Sequence, residues 1–302
     1  MKQAAERLKQ AVGAGIFLTD EPMSRHTTFR TGGPADIYIE PSGVEELKQV
    51  LDICREENVA YTIIGNGSNL LVGDGGYRGV LISFGKPFAQ VTIEGAQVRT
   101  GAGALLSAVA KQVLNASLTG FEFAAGIPGT IGGAVVMNAG AYGGELCQVL
   151  REATVLTPEG EVKTLPAEEL ELGYRTSCVQ KNGYIVLEAV LQLQPGNADD
   201  IRAVMDDLAS KRREKQPLEY PSAGSTFKRP EGHFAGRLIQ DAGLRGFRVG
   251  GAQVSEKHCG FVINRDHATS ADILSLCRQV QEKVKAQSGV KLELEVKLLG
   301  EF

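Results

Sequence analysis

Gly126–Glu145, GIPGTIGGAVVMNAGAYGGE, is the stretch on which the reading of this chain turns. Seven of its twenty residues are glycine (126, 129, 132, 133, 140, 143 and 144), and Ile127 with Ala134 to Met137 ties it to an apolar core. Linkers this rich in glycine are normally polar and repetitive; this stretch is neither. Glycine loses more backbone freedom on folding than any other residue. A buried run of it suits a place where the main chain comes close to another object and aims its N–H groups there. Such nests bind anions, most often a diphosphate. The plainer alternative is a set of tight turns.

A second glycine loop lies upstream. The run Tyr61-Thr62-Ile63-Ile64 leads into Gly65-Asn66-Gly67-Ser68-Asn69, a strand ending in a phosphate-sized turn. Neither loop is a nucleotide fingerprint. Leu70 follows Gly65-x-Gly67, and Leu106 follows Gly101-x-Gly103, where the third glycine of a dinucleotide motif would stand. No G-x-x-x-x-G-K-[ST] occurs. Two such nests suit one long ligand with a diphosphate, gripped between two lobes.

Composition bounds the rest. A chain of 302 residues predicts about two or three domains with ample core. A net charge of −4 without a basic block argues against nucleic acid as a partner. The opening MKQAAERLKQAVGAGIF predicts an amphipathic helix with no long apolar centre, so no export signal is expected. No apolar run reaches membrane-spanning length. Five scattered cysteines (54, 147, 178, 259 and 277) without a C-x-x-C read as reduced thiols of a cytoplasmic protein.

In chain order, a helix over 1–13 precedes a polar crossing from Thr19 to Thr31. A strand is predicted at 35–40, then a helix over 44–56 capped by Ser42, and strands at 61–64 and 80–84. A hairpin over 91–100, a helix over 105–116, a second hairpin over 151–165, a strand at 184–193 and a helix over 199–214 follow. Pro217 and Pro221 mark a linker. Beyond it come a helix over 235–242 stopped by Gly243, a strand at 261–264 and a helix over 271–287. The last predicted strand, 291–299, sets Leu292, Leu294, Val296 and Leu298 on one side. These divisions give 1–85 and 86–216 as two lobes and 217–302 as a third domain, its last strand packing back towards the lobes.

Four histidines (26, 233, 258 and 267) have no metal-site spacing, and no G-x-S-x-G elbow is present. Three places combine a reactive group with turn or polar surroundings. They are Arg175 in Gly173-Tyr174-Arg175-Thr176-Ser177, Ser225 in Gly224-Ser225-Thr226, and Glu295 on the polar side of the last strand. The residues alone also allow a surface ion pair, a turn hydroxyl and a solvated strand face.

The chain resembles the UDP-N-acetylenolpyruvoylglucosamine reductase family of flavoenzymes in bacterial cell-wall synthesis. The resemblance runs through Thr28-Phe29-Arg30-Thr31-Gly32-Gly33, Gly65 to Leu71, Gly126 to Ala134, Tyr174-Arg175-x-Ser177, Gly224-Ser225-x-Phe227-Lys228 and Leu294-Glu295-Val296. The short route from Arg175 to Ser225 resembles the compact branch, which lacks an inserted tyrosine-bearing loop. Arg229 stands where members often carry asparagine. The resemblance implies an α+β protein, a two-lobed FAD-binding fold of the vanillyl-alcohol oxidase type with a C-terminal substrate-binding domain. It implies non-covalent FAD held by Gly65, Asn66, Gly67, Ser68, Asn69, Gly126, Ile127, Pro128, Gly129, Thr130, Gly132, Gly133, Ala134, Asn138 and Gly140. It further implies NADPH as reductant and UDP-N-acetylglucosamine enolpyruvate as substrate, with Arg175, Ser225 and Glu295 as catalytic residues. In those roles Arg175 steadies charge, Ser225 gives a proton, and Glu295 assists at the carboxylate. Tyr174, Arg212, Lys215 and Lys228 are candidates for holding the substrate. No metal is expected, and the enzyme is expected to be a monomer. A different FAD oxidoreductase of the same fold, acting on a hydroxy acid or alcohol, and a non-enzymatic flavin binder are the competing readings.

Overall fold

The computed structural model describes residues 2–302. The chain divides into two compact units of three segments each. The first holds Met1–Phe17, Tyr38–Asn66 and Leu81–Lys211; the second holds Leu18–Ile37, Gly67–Val80 and Arg212–Phe302. The expected division at 85/86 falls inside the first unit, and that at 216/217 lies just past a change of unit at 211/212.

In the first unit, helix α1 (Lys2–Ala11) buries Ala4 and Leu8 against α2 (Val44–Glu56). Helix α2 turns Leu47, Val50, Leu51 and Cys54 inward, the three-and-four spacing of a one-faced helix. Its start corrects the expected Ser42 cap: Gly43 occupies the capping position, and the backbone N–H of Ser42 donates to the Glu46 carboxylate. A four-stranded sheet runs in the order Ile16–Pro22, Pro34–Glu40, Tyr77–Ser83, Tyr61–Ile64, and the chain changes unit within three of these strands. The strand Ile16–Pro22 replaces part of the expected polar crossing. It is an edge strand with most side chains exposed, so no apolar alternation announces it.

The larger sheet is antiparallel, in the order Val162–Pro166, Leu150–Leu156, Ile185–Gln192, Gln97–Gly101, Val91–Glu94. The central Ile185–Gln192 is buried on both faces, which explains its unbroken apolar character. Helix α4 (Ile131–Met137) packs on this sheet, and the unit also holds α3 (Leu106–Asn115), α5 (Cys178–Lys181) and most of α6 (Ala198–Lys215), the last crossing the change of unit. Phe121, Ile131, Val135, Val155, Ala189 and Leu191 are among the residues of this core.

The second unit contains α7 (Ala235–Asp241), α8 (Ser270–Ser288) and a three-stranded antiparallel sheet, Arg248–Val249, Ala252–Val254, Val262–Asn264. Thr269 and Asp272 form a reciprocal cap on α8, and the Asp74 carboxylate accepts from the N–H groups of Ser270 and Ala271, both at 2.8 Å. The predicted final strand is corrected: only Lys297–Leu299 is regular, paired in parallel with Leu70–Val72. Upstream, Lys228 donates its N–H to Glu293, Glu295 donates its own to Thr226, and then Lys297 donates to Asn69. The segment changes neighbour midway, so its alternation does not describe one face. Leu292 and Val296 are buried, whereas Leu298 is 44% exposed.

Candidate active site

The glycine-rich stretch is more than turns. Ile131, Ala134 and Val135 of α4 are buried, and the helix packs on Ile185–Gln192. Thr130 caps it, its hydroxyl accepting from the Gly133 N–H at 3.5 Å. Gly132 is a packing glycine: a Cβ there would stand 3.0 Å from that of Ala102, and its N–H donates to the Ala102 carbonyl at 2.8 Å. The N–H groups of Ile131 and Ala134 are likewise spent, on Ala104 and Thr130. The expected cradle therefore shifts towards the residues before the helix.

There the two glycine loops meet. Asn66 donates its side-chain N–H to the Pro128 carbonyl at 2.8 Å, and a Cβ on Gly65 would come within 2.6 Å of Thr130 Oγ1. The main-chain N–H groups of Asn66, Gly129 and Thr130 donate to no protein oxygen among the described residues. Gly65, Gly126, Pro128 and Gly133 are exposed. Three unspent N–H groups beside side-chain-free backbone, without a lysine, form a donor set suited to a phosphate. The residues present fit the diphosphate of FAD.

On the second-unit side of this loop, Gly67 has φ +59°, and a Cβ on it would run into the His26 backbone. The Gly67 carbonyl accepts from the Thr28 N–H at 3.3 Å. Asn69 donates its amide to the Glu295 carbonyl at 3.2 Å. The buried hydroxyls of Thr28 and Thr31, in the same basic and hydroxyl-rich segment, lack hydrogen-bond partners.

Arg175 stands at the tip of a turn closed by paired hydrogen bonds between Gly173 and Thr176. Its φ is +57°, and it donates from Nη2 to the Gly140 carbonyl at 3.4 Å. Its guanidinium lies 5.2 Å from the ring centre of the exposed Tyr174. Asn138, expected at the cofactor, is 2% exposed with its amide spent inside the protein. It donates to Glu145 Oε2 at 3.1 Å and to the Gly173 carbonyl at 3.3 Å, and accepts from the Cys147 N–H at 2.9 Å. Ser177, fully buried, donates its hydroxyl to the Val136 carbonyl at 2.9 Å. Sequence reasoning named both residues but missed that they anchor this turn; Asn138, a lone amide after the apolar run Ala134 to Met137, was the available signal.

Ser225 and Glu295 come together in the second unit. Residues 226–228 run antiparallel to 293–295, with Phe227 opposite Leu294 and the Glu295 N–H donating to the Thr226 carbonyl at 2.9 Å. Ser225 is exposed and follows Gly224, which has φ +71°. Buried Thr226 fixes the next residue: its hydroxyl accepts from the Val262 N–H and its own N–H donates to the Gly260 carbonyl, both at 2.9 Å.

The other expected cations differ. Lys228 pairs with Glu293 at 3.1 Å, Lys215 is exposed, and Arg212 is buried. Among the described residues no group of three metal-ligating side chains is present, and no helix is long and apolar enough to cross a membrane. All five cysteines are free thiols; burial pushes Cys54 up to about 11 and Cys277 up to about 12.

Residues 35–166 match the FAD binding domain family, and residues 216–299 match the C-terminal domain of UDP-N-acetylenolpyruvoylglucosamine reductase. The UDP-N-acetylenolpyruvoylglucosamine reductase of Agathobacter rectalis is 55% identical over 314 residues, covering 100% of this chain and 98% of that protein. That of Clostridioides difficile is 53% identical over 282 residues, covering 93% of each. The crystal structure of the Thermus caldophilus enzyme superposes with a TM-score of 0.82 at 36% identity, covering 94% of this chain and 98% of that one. The expected α+β class, an FAD-binding fold followed by the reductase's C-terminal domain, is the class these matches give. The chain belongs to the UDP-N-acetylenolpyruvoylglucosamine reductase family.

Proposed function

We propose that Arg175, Ser225 and Glu295 carry the chemistry of an NADPH-dependent reductase that converts UDP-N-acetylglucosamine enolpyruvate to UDP-N-acetylmuramate. Bound FAD supplies the hydride, received from NADPH. The main-chain N–H groups of Asn66, Gly129 and Thr130 would hold its diphosphate, with the bare backbone of Gly65 and Gly126 and the ring of Pro128 alongside, and Gly67, Ser68 and Asn69 continue the first loop. As the vinyl carbon is reduced, negative charge gathers on the enolpyruvyl carboxylate. The Arg175 guanidinium opposes that charge, a contact worth about 3–4 kcal/mol of barrier. The Ser225 hydroxyl gives its proton to the carbon bearing the ether oxygen. Neutral serine is a weak acid, but an enolate carbon is a strong base, so the transfer is downhill enough to run. Glu295 assists at the carboxylate. Arg212, Lys215 and Lys228 serve the nucleotide end of the substrate, and Tyr174 helps to hold the substrate. On this reading residues 1–85 and 86–216 hold FAD, residues 217–302 hold the sugar nucleotide, and the enzyme works as a cytoplasmic monomer.

The observation that carries the residue assignment is the pairing of 226–228 with 293–295, which sets the Ser225 turn beside Glu295. An anaerobic two-step titration tests it. NADPH should bleach the flavin, and the enolpyruvyl sugar nucleotide should restore its colour. In Ser225→Ala the first step should survive and the second collapse. Rapid recolouring in that variant removes Ser225 from the proton transfer.

A further inference from the structure

We infer that Asn138 is a positioning residue that holds the Arg175 turn in its working geometry. The inference rests on the reading that Arg175 acts during substrate reduction. Asn138 closes α4 in the left-handed region, with φ +41°. Asparagine tolerates this conformation better than most residues. Its short amide then faces back into the protein, and all three of its hydrogen-bonding groups are engaged.

Each of those bonds goes to a different place. One N–H holds the carbonyl of Gly173, the residue that opens the Arg175 turn. The other holds the Glu145 carboxylate, and the amide oxygen takes the N–H of Cys147. Glu145 is paired across a two-residue hairpin with Gly140. Gly140 is also the residue whose carbonyl receives the Arg175 guanidinium. Asn138 thus grips both the base of the turn and the hairpin against which its cation rests. Ser177 ties the far side of the turn to the Val136 carbonyl, two residues before Asn138.

Arg175 needs this support because of its own backbone. At φ +57° the residue sits in the left-handed region that a β-carbon disfavours, so the turn persists only if its surroundings impose it. A cation acts on developing charge through fixed placement, and a shift of about 1 Å in a catalytic group can cost about a hundredfold in rate. The amide of Asn138 supplies the restraint without itself facing the reaction.

Asn138→Gly separates the amide from the backbone, because glycine adopts φ +41° without strain. Its flavin should still be reduced by NADPH within about twofold of the native rate, while reoxidation by the enolpyruvyl substrate slows by about a hundredfold. Hydrogen exchange should rise at the Thr176 N–H, which donates to the Gly173 carbonyl, and remain unchanged in α8. Asn138→Asp provides a second variant should the glycine form fold poorly. It keeps the acceptor for Cys147 but loses both donors, and should repeat the same split. Equal slowing of both steps, or native reoxidation with native exchange, overturns the inference when Arg175→Ala abolishes reoxidation in parallel. Native reoxidation in Arg175→Ala overturns the underlying reading, and the inference with it, as a separate result.

Discussion

The turn that carries Arg175 and the turn that carries Ser225 are built in opposite ways. The first is anchored at both ends by buried side chains, with Asn138 on the Gly173 carbonyl and Ser177 on that of Val136. The second is free at its tip. Gly224 has no atom within 4 Å of where a Cβ would stand, and the Ser225 hydroxyl has no hydrogen-bond partner among the described residues. Only Thr226, one residue later, is locked. The contrast matches the two tasks. A cation stabilises charge by being already in place, whereas a proton donor must reorient its hydroxyl towards the carbon it serves.

The strongest way to break this comparison is to remove each tip. Ser225→Ala should slow flavin reoxidation by substrate by about 10³-fold, within the range typical of a lost proton donor, and leave reduction by NADPH unchanged. Arg175→Lys should lose about 10²-fold in the same step, because an ammonium lacks the planar fork. Stopped-flow absorbance of the flavin reads both. Equal rates for the two half-reactions in either variant would end the assignment.

Next comes the cofactor cradle. Gly65→Ala brings a methyl carbon to 2.6 Å from Thr130 Oγ1, so either that hydroxyl leaves the Gly133 N–H or the two loops part. FAD affinity, measured by fluorescence of the apoprotein titrated with FAD, should fall about tenfold, a change of about 1.4 kcal/mol. Gly132→Ala sharpens the point, because its new methyl meets Ala102 instead. There the loss should appear chiefly in thermal stability.

A smaller effect concerns Gly224. Its φ of +71° in open space means that Ala meets no clash but pays the left-handed strain of about 1–2 kcal/mol. Melting temperature should fall by a few degrees with reoxidation only mildly slowed. Collapse of activity there would show that the Ser225 tip is as tightly specified as the Arg175 turn.

The smallest effect is a pH dependence beneath Ser225. His258 accepts the Gly260 N–H on Nδ1 at 3.1 Å, and the Gly260 carbonyl receives the Thr226 N–H. Burial lowers the His258 pKa below its usual 6.5. Its contribution to stability is therefore complete above pH 6.5 and is lost as pH falls from there through the lower folded-state value. Melting temperature should decline over that interval in the native protein and less so in His258→Asn.

Much of this was legible in the residues. Helix α2 and strand Tyr61–Ile64 have the expected bounds, and α6 and α8 differ only at their ends. Their periodicities are long or clean enough to outweigh local ambiguity. The strand Ile16–Pro22 was not legible, since an exposed edge strand carries no alternation. The final segment misled for the opposite reason: its alternation is clean, but it borrows two neighbours in turn. Helix α4 was hidden because Gly132 and Gly133 obscure a helix that packing and the Thr130 cap stabilise.

By itself, the order of residues determined that this chain holds two glycine-rich loops, an arginine among turn residues, a serine after a glycine and an acidic residue in an alternating final segment, in the pattern of its family. Those are properties of composition and spacing, which survive without coordinates. Tertiary structure alone decided that Asn66 reaches Pro128, that Gly132 is spent on Ala102, and that Asn138 serves the Arg175 turn. Each depends on which donor meets which acceptor across distant segments, and hydrogen bonds act over about 3 Å of space whatever the separation along the chain.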